Sequence, residues 1–558
     1  MPEEQNEDLR ARLAKLRKEG EERAAQRLAA TLNIPYADLS KVPVALDAIR
    51  LLDEKEAKDA RVATIELNAH AVALAAADPE GSAVKRVAEE LRGKNYEVKM
   101  VVISPSSLEA AWGFYKFIKP PEQDITGKIN ISKERLDELH GKLHSLDDVH
   151  GAIGAIDFNA FSPQALIEVV LAGATALRAS DIHTEAEKEH AKVRFRIDGL
   201  LHDIYNDIPA HAYQAFVSRI KLLSEMKLNV RTIAQDGRFT IGLGGKEVEM
   251  RVSVIPAEFG ETIVMRILDP TATMVSLPDL GLRADNFALV KKQLERPNGL
   301  ILNTGPTGSG KTTTLYAFLR TMNDPTVKII TLEDPIEYRI EGVEQTQVND
   351  EAGYTFANGL RAIVRQDPDV ILVGEVRDLE TADIAMQAAL TGHLVLSTLH
   401  TNDAVGAVPR LINLGVKAVS IGPALSLVIA QRLVRMLCPD CKKEATLDDA
   451  TRKAIDALLA KLPAAVDRAP YKDYKIYEPV GCAACNKMGY KGRVGIFEFL
   501  QGGSDLEATI LKEASEIALK EVAARQGMVT MQQDGILKVL EGKTTLDEVI
   551  SVTGDITW

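Results

Sequence analysis

Residues 305–312 read Gly-Pro-Thr-Gly-Ser-Gly-Lys-Thr, a complete G-x-x-x-x-G-K-[ST] phosphate loop. The apolar run Gly299-Leu300-Ile301-Leu302-Asn303 leads into it as a strand, and Thr313-Thr314-Leu315-Tyr316-Ala317-Phe318-Leu319 leads out as a helix. That order constrains the fold more than any other feature of the chain, because the loop works only between a strand and a helix N-terminus. Gly305, Gly308 and Gly310 let backbone N–H groups turn inward around an anion, and the helix adds its positive end. Lys311 is placed to reach β- and γ-phosphates and the Thr312 hydroxyl to ligate Mg²⁺. Pro306, Thr307 and Ser309 complete the cradle and Thr313 opens the helix. The ligand expected here is a nucleoside triphosphate.

Two acidic stations follow. The strand Lys328-Ile329-Ile330-Thr331-Leu332 ends in Glu333-Asp334-Pro335-Ile336-Glu337, and Val370-Ile371-Leu372-Val373 ends in Gly374-Glu375. In a doubly wound parallel sheet the site lies at the C-terminal ends of the strands, so both acids arrive beside the loop. Glu333 is read as the group that orients the attacking water and Glu375 as the one on the metal side. The Asp usual at the end of the second strand is replaced by Gly374-Glu375, which leaves Mg²⁺ largely to Thr312, phosphate and water. In Thr391-Gly392-His393-Leu394-Val395-Leu396-Ser397-Thr398-Leu399-His400-Thr401-Asn402 a strand carries a His at each end, so at most one lies near the γ-phosphate; His393 is carried as the catalytic candidate.

The four cysteines, Cys438, Cys441, Cys482 and Cys485, form two C-x-x-C pairs and no other cysteine exists. This pattern reads as one closed Cys₄ Zn²⁺ site of structural type. With 46% hydrophobic and 26% charged residues the 558-residue chain has the composition of a soluble globular protein of several domains. Its best apolar run, 418–430, is shorter than the roughly 18 residues a spanning helix needs. The N-terminus is charged from Glu3 onward, unlike a signal peptide, so a cytoplasmic chain without a transmembrane segment is expected. A net charge of −13 argues against general affinity for nucleic acid.

The boundaries read from composition are a partner-docking domain over 1–118, with Leu9, Leu13 and Leu16 on one helix face, and a linker over 119–152 containing Pro120-Pro121. A second α/β domain over 153–272 and the phosphate-loop core over 273–437 follow. A zinc-binding subdomain over 438–500 and a helical tail over 501–558 complete the chain.

Ala179-Ser180-Asp181-Ile182-His183, Arg194-Phe195-Arg196-Ile197-Asp198-Gly199 and Gln235-Asp236-Gly237-Arg238 precede the phosphate loop. The acidic box, the histidine box and the tetracysteine insertion follow it in order. In this series the chain resembles the secretion ATPase superfamily, specifically the type II secretion and type IV pilus assembly ATPases, over roughly residues 150–558. The resemblance implies a multidomain α/β protein with a RecA-like P-loop core, a preceding α/β domain, an N-terminal α/β domain and the Cys₄ insertion. It further implies a homohexamer that hydrolyses ATP to drive pilin or pseudopilin assembly, working with an inner-membrane platform protein and a cytoplasmic docking protein. The domain matching 153–272 closes over the nucleotide, and Arg251 and Arg266 approach the phosphates. Arg361, Arg365, Arg377 and Arg493 match further family arginines. Two departures stand out. Thr184 and Ala186 replace residues of the usual Ile-His-Ile-Glu-Pro, and Leu13–Gly20 lacks the Arg-Leu-Gly stretch through which some versions bind cyclic di-GMP, so no dinucleotide sensing is expected. A different class, a zinc-containing nucleic-acid translocase ATPase, shares the loop and the Cys₄ site but would need a basic, aromatic stripe that is missing around the cysteines.

Overall fold

The computed structural model describes residues 3–39, 45–49, 51–68, 71–94, 96–117, 128–158, 162–243, 246–269 and 275–556. The chain divides into two compact units, Met1–Asp124 and Ile125–Trp558.

The first unit holds a three-stranded sheet in the order Val62–Asn68, Ala71–Ala76, Glu97–Val102. Its first pair is antiparallel and its second parallel. The parallel pair requires a crossover, which the helix Ser82–Gly93 supplies. Val84, Val87, Ala88 and Leu91 recur at helical spacing and are its buried face. The long helix Glu3–Leu32 carries Leu9, Leu13 and Leu16, whose side-chain surroundings lie outside the described residues.

The second unit contains two seven-stranded sheets. One is antiparallel apart from its first pair and runs Lys128–Ile131, Gln235–Leu243, Lys246–Ala257, Gly260–Leu268, Asp181–Ala186, His190–Ile197, Leu200–Pro209. Along His190–Ile197 burial alternates strictly, with Ala191, Val193, Phe195 and Ile197 in the core and Lys192, Arg194 and Arg196 on the opposite face. Helices Pro163–Ala176 and Ala210–Leu223 cover the apolar face.

This domain begins earlier than its composition suggests. The linker expected over 119–152 is folded from Lys128 onward, while 119–127, including Pro120-Pro121, lies outside the described residues. Ile129 and Ile131 enter the core from a strand, and Val149 and Ile153 from the helix Leu146–Gly154. Ser132 and Ser145 each accept a backbone N–H as helix N-caps. The polar residues that suggest a linker are the solvent faces of these amphipathic elements.

The other sheet runs Glu344–Gln347, Ile329–Glu333, Val370–Val373, Leu394–Leu399, Gly299–Thr304, Leu425–Leu437, Tyr490–Gln501. All pairs are parallel except the last. Gly299–Thr304, Val370–Val373 and Leu394–Leu399 are buried at every position, as strands covered on both faces must be. The zinc-binding region expected over 438–500 is therefore shorter. Tyr490–Gln501 returns to the core sheet antiparallel to Leu425–Leu437, with Val428 opposite Leu500 and Val434 opposite Val494, and the insertion is confined to 438–489.

Candidate active site and thiolate centre

Gly299–Thr304 delivers the phosphate loop and the helix Lys311–Met322 leaves it. Gly305, Gly308 and Gly310 all have positive φ, at 152°, 78° and 90°. A Cβ on Gly305 would meet the Gln431 carbonyl at 2.6 Å, and one on Gly310 the Gln431 amide nitrogen at 2.7 Å, so close packing as well as torsion selects glycine. The Lys311 ammonium donates to the carbonyls of Gly305 at 2.8 Å and Pro306 at 3.1 Å. Burial depresses its pKa, the nearby Glu375 opposes that shift and Arg432 reinforces it. Thr312 is exposed at the start of the helix, while Ser309 is buried with an unpartnered hydroxyl.

Glu375 follows Val370–Val373 and is ion-paired with Arg377; His400 Nε2 lies 3.5 Å from its other oxygen. Arg377 also stands 3.6 Å from Asp334. The bond to Glu375 raises the Arg377 pKa. Glu333 differs. It is 3% exposed, and its carboxylate accepts from the Tyr316 hydroxyl, from Thr331 Oγ1 at 2.6 Å and from Gln345 Nε2 at 3.2 Å. Burial raises its pKa against the pull of these donors.

His393 is not at this site. It precedes Leu394–Leu399, donates from Nδ1 to the Ala388 carbonyl at 3.0 Å, and its own carbonyl receives Gly299 N–H at the start of the neighbouring parallel strand. It thus lies at the end of the sheet opposite the phosphate loop, about 23 Å from His400 at about 3.3 Å per strand residue. His400, at the C-terminal end, is the histidine beside Glu375.

Of the arginines, Arg251 reaches from the antiparallel sheet to the acidic box, donating to Glu337 Oε2 at 2.8 Å and to the Ile336 carbonyl at 2.5 Å. Arg266 pairs directly opposite Arg251 in register, so both project from one face. It donates to Asp181 at 3.0 Å and is 55% exposed. Arg196 and Arg238 continue the same rung, opposite Asp181 and Arg251. Arg361 pairs with Glu380, and Arg365 and Arg493 are exposed without an ion pair among the described residues.

The sequence reading missed Gln431 and Arg432. Gln431 is 2% exposed, and its amide oxygen accepts from Asn303 at 3.0 Å and Thr314 at 2.8 Å, tying the strand before the loop to the helix after it. The only sequence signal was an apolar run, Leu425–Ala430, that ends in Gln-Arg as its neighbours end in acids.

The four cysteines are free thiols whose sulfurs all lie within 4.8 Å of one another. Cys438–Cys482, Cys441–Cys485 and Cys482–Cys485 are 3.9, 3.8 and 3.8 Å apart. Zn–S bonds near 2.3 Å in a tetrahedron put sulfurs about 3.8 Å apart, so the donor set fits Zn²⁺. Backbone N–H groups of Gly481, Cys482 and Gly489 point at the sulfurs of Cys441 and Cys485 from 3.2–3.3 Å, as thiolates require.

A protein-family model described as "Type II/IV secretion system protein" matches residues 160–551, most of the chain. The chain belongs to this family. A second model, the MshEN domain, matches residues 32–115 within the first unit. The type IV pilus assembly ATPase PilB of Myxococcus xanthus is 38% identical over 93% of this chain and 89% of its own length. The type II secretion system ATPase E of Vibrio cholerae is 46% identical over 70% of this chain and 75% of its own. Among solved structures, the ATPase DotB of Legionella pneumophila is similar in fold, with a TM-score of 0.52 at 21% identity, over 71% of this chain and 97% of that one. No described helix is long and apolar enough to cross a membrane.

Proposed function

We propose that the chain is a Mg²⁺-dependent ATP hydrolase that powers pilin or pseudopilin assembly in a type IV pilus or type II secretion machine. The observation that carries this reading is the reach of Arg251 from one domain onto the acidic box of the other, beside a complete phosphate loop. Nucleotide can then be gripped from both sides, and hydrolysis changes how firmly the domains hold one another. In this reading Lys311 binds the β- and γ-phosphates, Thr312 and Glu375 hold Mg²⁺ and its waters, and Glu333 acts on the attacking water. Arg251 and Arg266 supply charge to the transition state. The cysteines would hold Zn²⁺ as a closed structural site, which supplies folding energy and no chemistry.

We further place the motor as a homohexamer on the cytoplasmic side of the inner membrane, docked to a platform protein and a cytoplasmic docking protein. Relatives named for pilus assembly and type II secretion support this, and none of those reported favours a nucleic-acid translocase. The test is ATP turnover by the full chain. Wild type should release phosphate in Mg²⁺, be indifferent to single-stranded DNA, and lose activity completely in Lys311→Ala. Turnover that survives this substitution would remove the loop from the mechanism.

A further inference from the structure

The strand Leu425–Leu437 runs parallel beside Gly299–Thr304, with Thr304 opposite Ala430, so Gln431 and Arg432 emerge next to the first residues of the phosphate loop. Arg432 is half-buried. Its Nη1 donates to the Gln431 carbonyl at 3.0 Å and its Nη2 to the Asn402 carbonyl at 3.0 Å. Nη1 also lies 3.1 Å from where a Gly305 Cβ would stand, and the Ser309 hydroxyl 2.6 Å from the same point. Both therefore crowd the start of the loop, where the Lys311 ammonium rests on the Gly305 and Pro306 carbonyls.

Among the described residues no carboxylate pairs with Arg432. Burial disfavours its charge, while Glu498 and Asp403 oppose this only through space. Lys311 and Arg432 thus form two partly desolvated cations at one end of the loop, hydrogen-bonded to neutral carbonyls, with a buried, unpartnered serine hydroxyl beside them. A half-buried guanidinium with no carboxylate on it keeps donors free for an anion. A phosphoryl group has the charge and the acceptor geometry that a guanidinium fork fits.

We propose that Arg432 is a phosphate-binding residue of the ATP site, supplied in cis, that engages the terminal phosphates together with Lys311. The proposal rests on the ATP reading of the loop and extends it. It separates the arginine that the loop's own sheet provides from Arg251 and Arg266, which come from the other domain. The competing role is a structural staple, since the same guanidinium ties the strand end to the loop that follows Leu394–Leu399. Thr401 of that loop is already fastened to Thr304, its N–H donating to Thr304 Oγ1 at 2.8 Å.

The experiment measures Mg²⁺-ATPγS and Mg²⁺-ADP affinity for the full chain, in wild type, Arg432→Gln, Arg432→Lys and Lys311→Ala. Loss of a charge-assisted contact to the terminal phosphate should weaken ATPγS roughly 10- to 100-fold in Arg432→Gln. ADP should weaken by less than about threefold, since the contact it lacks contributes nothing to its binding. Arg432→Lys, keeping charge but not the fork, should fall between. Unchanged ATPγS affinity in Arg432→Gln overturns the proposal. So does equal loss of ATPγS and ADP in both Arg432 variants, which is the mark of a staple. Wild type that binds neither nucleotide would overturn the ATP reading itself and this proposal with it, whereas Lys311→Ala alone losing binding would leave that reading standing and reject only the role of Arg432.

Discussion

The thiolate centre and the nucleotide site differ in how ready they stand. Around the cysteines, the sulfurs already sit at the spacing of a filled tetrahedron, and backbone N–H groups are aimed at them. At the phosphate loop the chain's own groups occupy the charges: Lys311 rests on loop carbonyls, Glu375 is paired with Arg377, and Glu333 is enclosed by Tyr316, Thr331 and Gln345. A structural site gains from being preassembled, because every rearrangement it avoids is free energy left for folding. A motor site gains from internal partners that substrate must displace, because the displacement links nucleotide state to shape.

The difference is most drastically broken at the cysteines, where losing one ligand removes a folded subdomain. Cys438→Ser should leave less than about half an equivalent of zinc per chain in reduced protein, against one in wild type, and unfold 438–489 before the parallel sheet. Metal analysis with limited proteolysis reads both, and full zinc content in the variant would end the claim that this is a four-thiolate site. Next comes Glu375→Gln, which should bind ATP with near wild-type affinity yet turn over roughly 10²- to 10⁴-fold more slowly. Near-normal phosphate release would strike Glu375 from the machinery.

Glu333→Gln should likewise keep ATP binding and lose most turnover, since its carboxylate is the group placed to act on the attacking water, and it adds a smaller effect on stability. Here pH sharpens the test. Burial raises the Glu333 pKa, so between the unfolded value near 4.5 and the raised one the folded protein binds more protons than the unfolded chain. Its contribution to stability is therefore greatest at low pH and declines as pH rises through that window. The stability deficit of Glu333→Gln relative to wild type should shrink over the same window in denaturant melts. A deficit independent of pH would mean that Glu333 titrates normally.

What the sequence made legible follows the same division. The loop is contiguous and each cysteine pair has fixed C-x-x-C spacing, so both can be read from the chain alone. The two acidic stations were legible because parallel strands deliver their ends to one edge. The same rule, carried one strand further, points to His400 rather than His393. Residues joined only by sheet order were out of reach: Gln431 and Arg432 touch the loop because Leu425–Leu437 lies beside Gly299–Thr304, and nothing local announces that neighbour. The enclosure of Glu333 depends on Tyr316 turning inward from the helix after the loop. Over 128–152 composition outweighed a sparse apolar pattern, and Ile129, Ile131, Val149 and Ile153 were hidden among charges.

In the proposed motor a second domain completes the ATP site with its own arginines. Steady-state phosphate release by the full chain carrying Arg251→Ala and Arg266→Ala together tests it most directly. The account predicts a fall of roughly 10³-fold or more, as for loss of an arginine finger, with zinc content and melting behaviour unchanged. Turnover equal to wild type would contradict it, leaving the Arg251–Glu337 contact a surface ion pair and the motor without a second jaw.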